Sequence, residues 1–313
     1  MRIDAATAFS LGDLAVFDTT HLRQVIGAVS GAVSPALAGR AFASDGANDG
    51  MRETPPLDGL AERIERALPP DDRAAFVRAR LRATTIHEPE SARRDVLDRL
   101  FWELTYWKTP EEYERLTAGE QVHLGALDVA RVDGAVVLDA GAGTGRVTLP
   151  LARRARRVYA LDPAPPLLSL LERKLTAAGL HNVEILRGSF RHAPLPDNSV
   201  DAVVACSAFG PDEAHGGRCG LDELMRVTRP GGRIVIIWPN DPAWFISQGF
   251  TYTALPGHLT ITFPTLEDAW EVATRFYGPA ATCHLDATAR PELPFHVLGV
   301  KPPRDLCWLT VHK

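Results

Sequence analysis

The chemistry in this sequence is concentrated in a glycine-rich segment, LDAGAGTG, that follows a short apolar stretch. Its three glycines, Gly141, Gly143 and Gly145, alternate with other residues, and Asp139 precedes the first glycine by two positions. Glycines after a strand let the backbone turn sharply and let a ligand approach it closely. The segment therefore predicts a loop that binds a small ligand, and the spacing of the glycines indicates which class of ligand.

That spacing disfavours the two common phosphate-binding loops. A dinucleotide fingerprint, G-x-G-x-x-G/A, needs a small residue three positions after its second glycine, where this chain has Arg146. A P-loop ends in G-K-S/T, and this segment has no such ending. A dinucleotide-dependent oxidoreductase is accordingly the least favoured alternative.

Short apolar strands alternate with helices from residue 134 onwards. The predicted strands are AVVLD (135–139), RVYALD (157–162), NVEILRG (182–188), VDAVVACS (200–207) and RIVIIW (233–238). Continuous apolar strands separated by helices indicate a parallel sheet that is covered on both faces. Near the C-terminus, PFHVLGV (294–300) and DLCWLTVH (305–312) flank a turn-like KPPR, and so short a connection predicts antiparallel pairing.

The sequence divides into three regions. Residues 1–57 form a small-residue-rich segment and linker that we expect to be partly disordered, and residues 58–130 are a helical N-terminal extension. Two capping boxes, Thr109 to Glu112 and Thr117 to Glu120, predict helix starts in that extension. Residues 131–313 form the ligand-binding domain.

Composition excludes several classes of protein. A net charge of −5 argues against a dedicated nucleic-acid binder. No stretch approaches the ~18 apolar residues of a membrane span. The sequence contains no H-E-x-x-H motif, so no metal site is predicted. Four cysteines without a C-x-x-C pair are typical of reduced thiols in a cytoplasmic protein. The basic run from Arg153 to Arg157 is interpreted as a solvated helix end, with an RNA-facing patch as the alternative.

The order of these motifs resembles that of the class I S-adenosylmethionine-dependent methyltransferases. LDAGAGTG is followed by Asp162 at the end of the second strand, and then by LPDNSVDAVVACSAFG and RVTRPGGRIVIIW. The resemblance runs from roughly residue 100 to the C-terminus. It implies S-adenosyl-L-methionine as the cofactor and an α/β fold, a Rossmann-like, doubly wound, mostly parallel seven-stranded sheet with an antiparallel C-terminal hairpin.

The resemblance also assigns roles around the cofactor. It implies that the glycines turn beneath the methionine part, that Asp139 orients the ammonium end and that Asp162 accepts hydrogen bonds from the ribose hydroxyls. The helix after the glycines would favour the carboxylate at its N-terminus. Ser189 stands where the family often has an acidic residue for the adenine amino group. The expected cofactor-binding residues are Asp139, Gly141, Ala142, Gly143, Gly145, Asp162, Pro163, Ser189, Phe190, Cys206 and Ser207. The alternative is that the two aspartates only cap turns.

Two further groups of residues are candidates for the acceptor side. Related enzymes close a helical N-terminal segment over the site, so Tyr106, Trp107, Tyr113 and Trp238 are predicted to contact substrate or form a lid. Core packing is the alternative, because Trp102 and Tyr106 are four residues apart and share a helix face.

A general base is needed only if the acceptor must lose a proton. His215 and Asp212, after the fourth strand, are the candidate catalytic residues, and His192 is a further candidate. The alternative is that His215 is an exposed loop histidine.

The sequence thus predicts a cytoplasmic methyltransferase with a small-molecule acceptor and no membrane or nucleic-acid partner. An RNA or protein methyltransferase, or a non-catalytic S-adenosylmethionine-binding module, remains as the alternative. The acceptor, the methylated atom and the oligomeric state are left open.

Overall fold

The computed structural model of the chain describes residues 102, 105–107, 109–212 and 215–313, apart from the side chain of Arg275. The predicted linker and most of the predicted helical extension lie outside these residues. The described strands are β1 (Val136–Ala140), β2 (Arg157–Asp162), β3 (Val183–Arg187), β4 (Val200–Cys206), β5 (Thr228–Ile237), β6 (Thr251–Ala254), β7 (Thr260–Thr262), β8 (Glu292–Pro294) and β9 (Asp305–Thr310).

The helices cover the sheet and its carboxyl edge. They are α1 (Pro110–Ala118), α2 (Gly125–Ala130), α3 (Thr148–Ala152), α4 (Pro165–Ala177), α5 (Gly217–Val227), α6 (Pro242–Ser247), α7 (Leu266–Val272), α8 (Pro279–Thr288) and α9 (Phe295–Leu298). A π-helical turn, Ala273–Tyr277, continues α7. Within the described part of the chain, no helix has both the length and the apolar character that crossing a bilayer requires.

The main sheet has seven strands in the order β3-β2-β1-β4-β5-β9-β6. Strands β1 to β5 are parallel, whereas β9 runs antiparallel to both of its neighbours, β5 and β6. The predicted fold class, a mostly parallel sheet with antiparallel strands at the C-terminal end, is therefore confirmed. The strand order reverses between β1 and β4, and ligands of open α/β sheets bind outside the carboxyl ends of the strands at such a point.

Both faces of the sheet are buried, as the continuous apolar runs predict. In β1, Val137 packs with residues of α2 and α3, while the next residue, Leu138, packs on the opposite face with residues of α5. Val204 and Val203 of β4 divide between the same two clusters. This alternation anchors the carboxyl ends of β1 and β4 and so fixes the loops that leave them.

The predicted partner of the C-terminal strand was wrong. Residues 295–298 of the predicted strand 294–300 form the helix α9, which follows Pro294 and ends at Gly299 with a positive φ of 68°. Such a left-handed glycine commonly ends a helix. β9 pairs instead with β6, in the register Tyr252 to Cys307. The pairing involves a strand some fifty residues upstream, as the two positions show, and not the neighbouring segment.

A cap, which we define as residues 255–304, lies between β6 and β9 and was not predicted as a unit. It contains the antiparallel ribbon β7–β8, helices α7 to α9 and the π-helical turn. The backbone N–H of Thr262 in β7 donates to the carbonyl of Gly119, just beyond α1, at 3.4 Å. A Cβ on Gly119 would lie only 2.4 Å from the Thr262 carbonyl oxygen, so a glycine is required at this contact between α1 and the cap.

Of the two predicted capping boxes, one marks a helix start. α1 begins at Pro110 after Thr109, although the Thr109 side chain makes no capping hydrogen bond. The second box was wrong, because Thr117 lies in the last turn of α1 and donates to the carbonyl of Tyr113 at 3.0 Å. Glu120, its supposed partner, is instead a buried residue of the candidate site.

Candidate functional site

The glycine loop at the end of β1 needs its glycines for two reasons. Gly141, Gly143 and Gly145 have positive φ angles of 80°, 53° and 93°, which are costly for other residues. A Cβ on Gly141 would lie 2.7 Å from the Cβ of Ala208, and a Cβ on Gly145 would lie 2.5 Å from Leu171. The loop is therefore a tight turn pressed against its neighbours, with its backbone at the strand switch point.

Asp162 holds this loop from the end of β2. Its Oδ2 accepts the Gly143 N–H at 2.9 Å, its Oδ1 accepts the Ala164 N–H at 2.9 Å, and the residue is only 7% exposed. These contacts cap turns, which is the alternative role that the sequence allows for Asp162. Each carboxylate oxygen nevertheless has a second lone pair. Asp162 can therefore also accept hydrogen bonds from ligand hydroxyls.

Asp139 is buried beneath the loop, with 1% of its surface exposed. The hydroxyl of Thr148 donates to its Oδ2 at 2.5 Å. Burial raises the pKa of Asp139 to about 7, and the Thr148 hydrogen bond opposes that rise. The negative charge of Asp162 adds to the rise, while Arg146 lowers it. A buried carboxylate of this kind favours a nearby cation, because a cation would stabilise its ionised form.

The predicted adenine-side residues lie at the same edge of the sheet. β3 ends at Arg187 opposite Asp162, and the exposed Ser189 follows two residues later. The backbone of Ser189 exchanges two hydrogen bonds with His192, at 3.0 and 3.2 Å. The ring of Phe190 would lie 3.1 Å from a Cβ on Gly141, so it forms a wall beside the glycine loop.

A buried polar group that we call the Arg146 cluster adjoins the glycine loop. It consists of Glu120, Arg146, Cys206, Trp238 and Tyr277. The Arg146 guanidinium forms an ion pair with Glu120, and their side chains are only 9% and 3% exposed. It also donates to the sulfur of Cys206 at 3.4 Å and lies 5.7 Å from the ring centroid of Trp238. The Tyr277 hydroxyl donates to the other oxygen of Glu120 at 2.9 Å.

Backbone strain accumulates around this cluster. Ser207 and Trp238, at the ends of β4 and β5, have φ angles of 53° and 57°. Positive φ in a bulky residue is an outlier, and such strain is concentrated at functional sites. Backbone hydrogen bonds hold both positions, from Ser207 to Ile237 at 2.9 Å and from Trp238 to Asp305 at 2.7 Å. Tyr277 is placed by a π-helical turn, which is also frequent at functional sites.

Aromatic side chains of the N-terminal region cover the glycine loop. Tyr113 of α1 would lie 3.3 Å from a Cβ on Gly143. Its ring meets those of Tyr106 and Trp102 edge to face, with centroids 4.9 and 6.5 Å apart, and Trp102 stacks on Phe276 of the cap at 5.9 Å. These aromatics pack together, as the core-packing interpretation predicts, and Tyr113 also lies beside the loop, while the lid role stays a prediction.

Polar contacts fasten α1 to the same loop. The ammonium of Lys174 in α4 donates to the carbonyl of Thr144 in the loop at 2.8 Å and to Glu114 of α1 at 2.6 Å. The hydroxyls of Thr117 and Thr144 lie 3.3 Å apart. Together with the pair of Glu120 and Arg146, these contacts make the glycine loop and α1 one connected structure.

The candidate catalytic pair is formed on the loop after β4. The Nδ1 atom of His215 lies 2.9 Å from both carboxylate oxygens of Asp212, and Asp212 also accepts the His215 backbone N–H at 3.1 Å. A histidine that donates through Nδ1 keeps Nε2 as a proton acceptor. His192 is exposed on a different loop, after β3, beside Glu223 of α5.

Comparison with known proteins agrees with this geometry. Residues 137–232 match the sequence model of the family described as "Methyltransferase domain". Residues 137–232 are therefore a methyltransferase domain, in agreement with the resemblance of the sequence to the class I S-adenosylmethionine-dependent methyltransferases.

The relatives of this methyltransferase domain match it over part of their length. An uncharacterized methyltransferase of Mycobacterium tuberculosis is 42% identical over 103 residues, which are 33% of this chain and 39% of that protein. A demethylmenaquinone methyltransferase of Geobacillus stearothermophilus is 36% identical over 115 residues, 36% of this chain and 48% of that protein. The chain thus spans less than half the length of each. A solved structure, the YcgJ protein from Bacillus subtilis, has a TM-score of 0.39 at 15% identity, covering 61% of this chain and 99% of that one.

The candidate site contains residues that sequence reasoning missed. Glu120 was interpreted as part of a capping box, and Arg146 was noted only as the residue that excludes a dinucleotide loop. Tyr277 and Lys174 had no recognisable motif, and only the structure brings them to the site. The helix after the loop, α3, has only five residues, so its dipole is a weak source of positive charge for a carboxylate.

Proposed function

We propose that this chain is an S-adenosylmethionine-dependent methyltransferase that acts on a small-molecule acceptor. The observation that carries the proposal is the glycine loop held between the buried carboxylates of Asp139 and Asp162 at the strand switch point. The glycines let a ligand approach the loop closely, and the two carboxylates supply acceptors at its two sides. This combination suits a ligand with hydroxyls at one place and an ammonium group at another.

The residues present fit S-adenosylmethionine. The three glycines have positive φ angles and carry no side chains, so a ligand can approach the loop backbone closely. Asp162 would hold the ribose hydroxyls and Asp139 the ammonium, while Ser189 and Phe190 would flank the adenine. Pro163, Ala142, Cys206 and Ser207 complete the proposed cofactor-binding residues. When bound, the sulfonium supplies a methyl group for in-line displacement, and the chain's own contribution is to position the acceptor.

A small acceptor is favoured by the enclosure of the site. Tyr113 and its aromatic neighbours lie over the glycine loop, and the cap adjoins them through Phe276. Two of the four arginines in the basic run that an RNA substrate would use are paired with carboxylates, Arg154 with Asp133 and Asp128 and Arg157 with Glu184. The names of the demethylmenaquinone methyltransferase relatives also support a small acceptor.

His215 is the proposed general base for acceptors that must lose a proton. Asp212 holds Nδ1 and leaves Nε2 to receive the proton, which is the arrangement that a histidine base requires. Gly216 beside it has a φ of 104°, and a Cβ there would lie 2.2 Å from Phe209. Gly216 is therefore packed tightly against Phe209, which itself packs on Phe190 of the proposed cofactor site with ring centroids 5.2 Å apart.

Two measurements test this proposed function. Calorimetry should show that S-adenosylmethionine and S-adenosylhomocysteine bind and that NAD does not. Radiolabelled S-adenosylmethionine should then transfer its methyl group to a member of a panel of phenols, quinols, amines and activated carbon acids. Absence of S-adenosylhomocysteine binding would overturn the proposal. Binding with transfer only to RNA or protein would favour those acceptors, and binding without any turnover would favour a non-catalytic module.

A further inference from the structure

The cleft beside the glycine loop contains one cation among the described residues that line it, and that cation is Arg146. The same cleft is lined by Asp139, Tyr113 and Cys206. Only 9% of the Arg146 side chain is exposed. A buried arginine at a ligand-binding loop is costly to desolvate, so its position calls for a role beyond its ion pair.

The proposed cofactor brings a carboxylate to this place. A carboxylate leaving water needs strong donors, and charge-assisted contacts from arginine are the most effective. The five-residue helix α3 offers little dipole. The backbone N–H of Gly143 is already bonded to Asp162, and those of Gly141 and Ala142 to the carbonyl of Leu161.

We propose that Arg146 binds the methionine carboxylate of S-adenosylmethionine, an inference that rests on the proposed function. The guanidinium has five N–H donors. Its hydrogen bonds in this structure, to Glu120 and Cys206, use two of them. The remaining donors make no hydrogen bond to the described residues and could bind a ligand carboxylate. Arg146 and Asp139 then present one cation and one carboxylate to the two charged groups of the amino-acid end.

Glu120 and Tyr277 act as positioning residues in this arrangement. The Glu120 carboxylate accepts a hydrogen bond from Arg146 with one oxygen and from the Tyr277 hydroxyl with the other. The guanidinium is therefore held by Glu120, just beyond the end of α1, and Glu120 is held in turn by Tyr277 of the cap. Burial opposes the charge of Arg146, but the nearby Cys206 and Glu120 more than offset it and raise the pKa above its ordinary value. Arg146 therefore stays cationic at every pH at which the protein is studied.

A ligand that lacks only the carboxylate tests the assignment. Calorimetry is performed on the full chain with S-adenosylhomocysteine and with decarboxylated S-adenosylhomocysteine. For the wild type, loss of the carboxylate should weaken binding about ten- to a hundredfold, the usual scale for a hydrogen-bonded charged group. For Arg146→Met, the two ligands should differ by about twofold or less, because the partner of the carboxylate has been removed.

Controls separate this effect from loss of folding. Arg146→Met leaves Glu120 buried without its cation, so the double variant Glu120→Gln/Arg146→Met, which removes both charges together, is measured as well. Arg157→Met, an exposed arginine paired with Glu184, should behave like the wild type. The same carboxylate sensitivity in the wild type and both Arg146 variants would overturn the inference while leaving the proposed function standing. A wild type that binds neither ligand would overturn both.

Discussion

The hydroxyl of Tyr277 donates a hydrogen bond of 2.9 Å to the carboxylate of Glu120, across 157 positions of sequence. Through Glu120, this bond connects the π-helical turn of the cap to Arg146 beside the glycine loop. The candidate site therefore depends on three parts of the chain, which are α1, the glycine loop and the cap.

The buried pair of Glu120 and Arg146 should matter more to stability than exposed pairs. Glu120→Ala leaves Arg146 buried without its partner, and we expect a loss of about 3–5 kcal/mol in the free energy of unfolding. Glu184→Ala, which breaks the exposed pair with Arg157, should cause no measurable change. Denaturant unfolding of both variants checks the prediction. Equal effects would contradict the view that the Arg146 cluster is a buried structural unit.

Asp162 should contribute to both cofactor affinity and loop order. Asp162→Ala removes the proposed ribose acceptor, so S-adenosylhomocysteine binding should weaken by about 1.5–3 kcal/mol in calorimetry. Because the variant also frees the N–H groups of Gly143 and Ala164, its melting temperature should fall. Asp162→Asn is the matched control, since its amide oxygen still accepts one of these bonds. Unchanged affinity in Asp162→Ala would limit the aspartate to turn capping.

Asp139 should make the folded protein less stable as the pH rises, whereas a salt-bridged carboxylate makes a protein less stable as the pH falls. Its folded pKa of about 7 lies above the ordinary value of 3.8, so the folded chain retains a proton that the unfolded chain releases. The contribution of Asp139 is therefore fully present at acidic pH and is lost as the pH rises from about 4 to about 7. The groups that face it are Thr148, Asp162 and Arg146.

Asp139→Asn tests this sign, because its side chain stays neutral and can still accept the Thr148 hydroxyl. The melting temperature of the variant relative to the wild type should increase between pH 5 and pH 8. Thermal unfolding of the ligand-free proteins measures the difference. Parallel pH profiles for the two proteins would mean that Asp139 is already ionised across this range.

His215 should affect turnover and not cofactor binding. If the acceptor is a hydroxyl, His215→Ala should lower the turnover rate by ~10²–10⁴-fold, the range for loss of a general base. Its affinity for S-adenosylhomocysteine should stay that of the wild type. Asp212→Asn should lower the rate as well, since the amide no longer holds Nδ1 as an ionised carboxylate does. Full activity of His215→Ala would indicate an acceptor that needs no base.

The parallel sheet and its binding loop could be predicted from the sequence because their signals are local. β2 has the predicted bounds of 157–162, and β1 is displaced by one residue from the predicted 135–139. A buried strand with both faces covered must be continuously apolar, and a turn with positive φ angles must contain glycine. The pairing of His215 with Asp212 was also predictable, because the two residues are three positions apart.

The antiparallel edge of the sheet was decided by tertiary structure. The sequence indicated that the C-terminal strand pairs antiparallel, yet it placed the partner at residues 294–300. The short connection and the apolar residues at 294–300 are as compatible with a hairpin as with the helix that forms there. β6 pairs with β9 instead, and the choice depends on how the cap between them packs, which no local pattern records.

The Arg146 cluster, likewise, could not be derived from spacing. Glu120 matched a helix-capping pattern, and a pattern cannot distinguish a carboxylate that caps a helix from one that is buried against a distant arginine. Its partners, Arg146 and Tyr277, are 26 and 157 positions away. The sequence by itself determined the fold class and the glycine loop, through apolar periodicity and glycine spacing. Only the tertiary structure decided which charged side chains share the buried space beside that loop, because desolvation and ion pairing depend on distances between elements and not on their order.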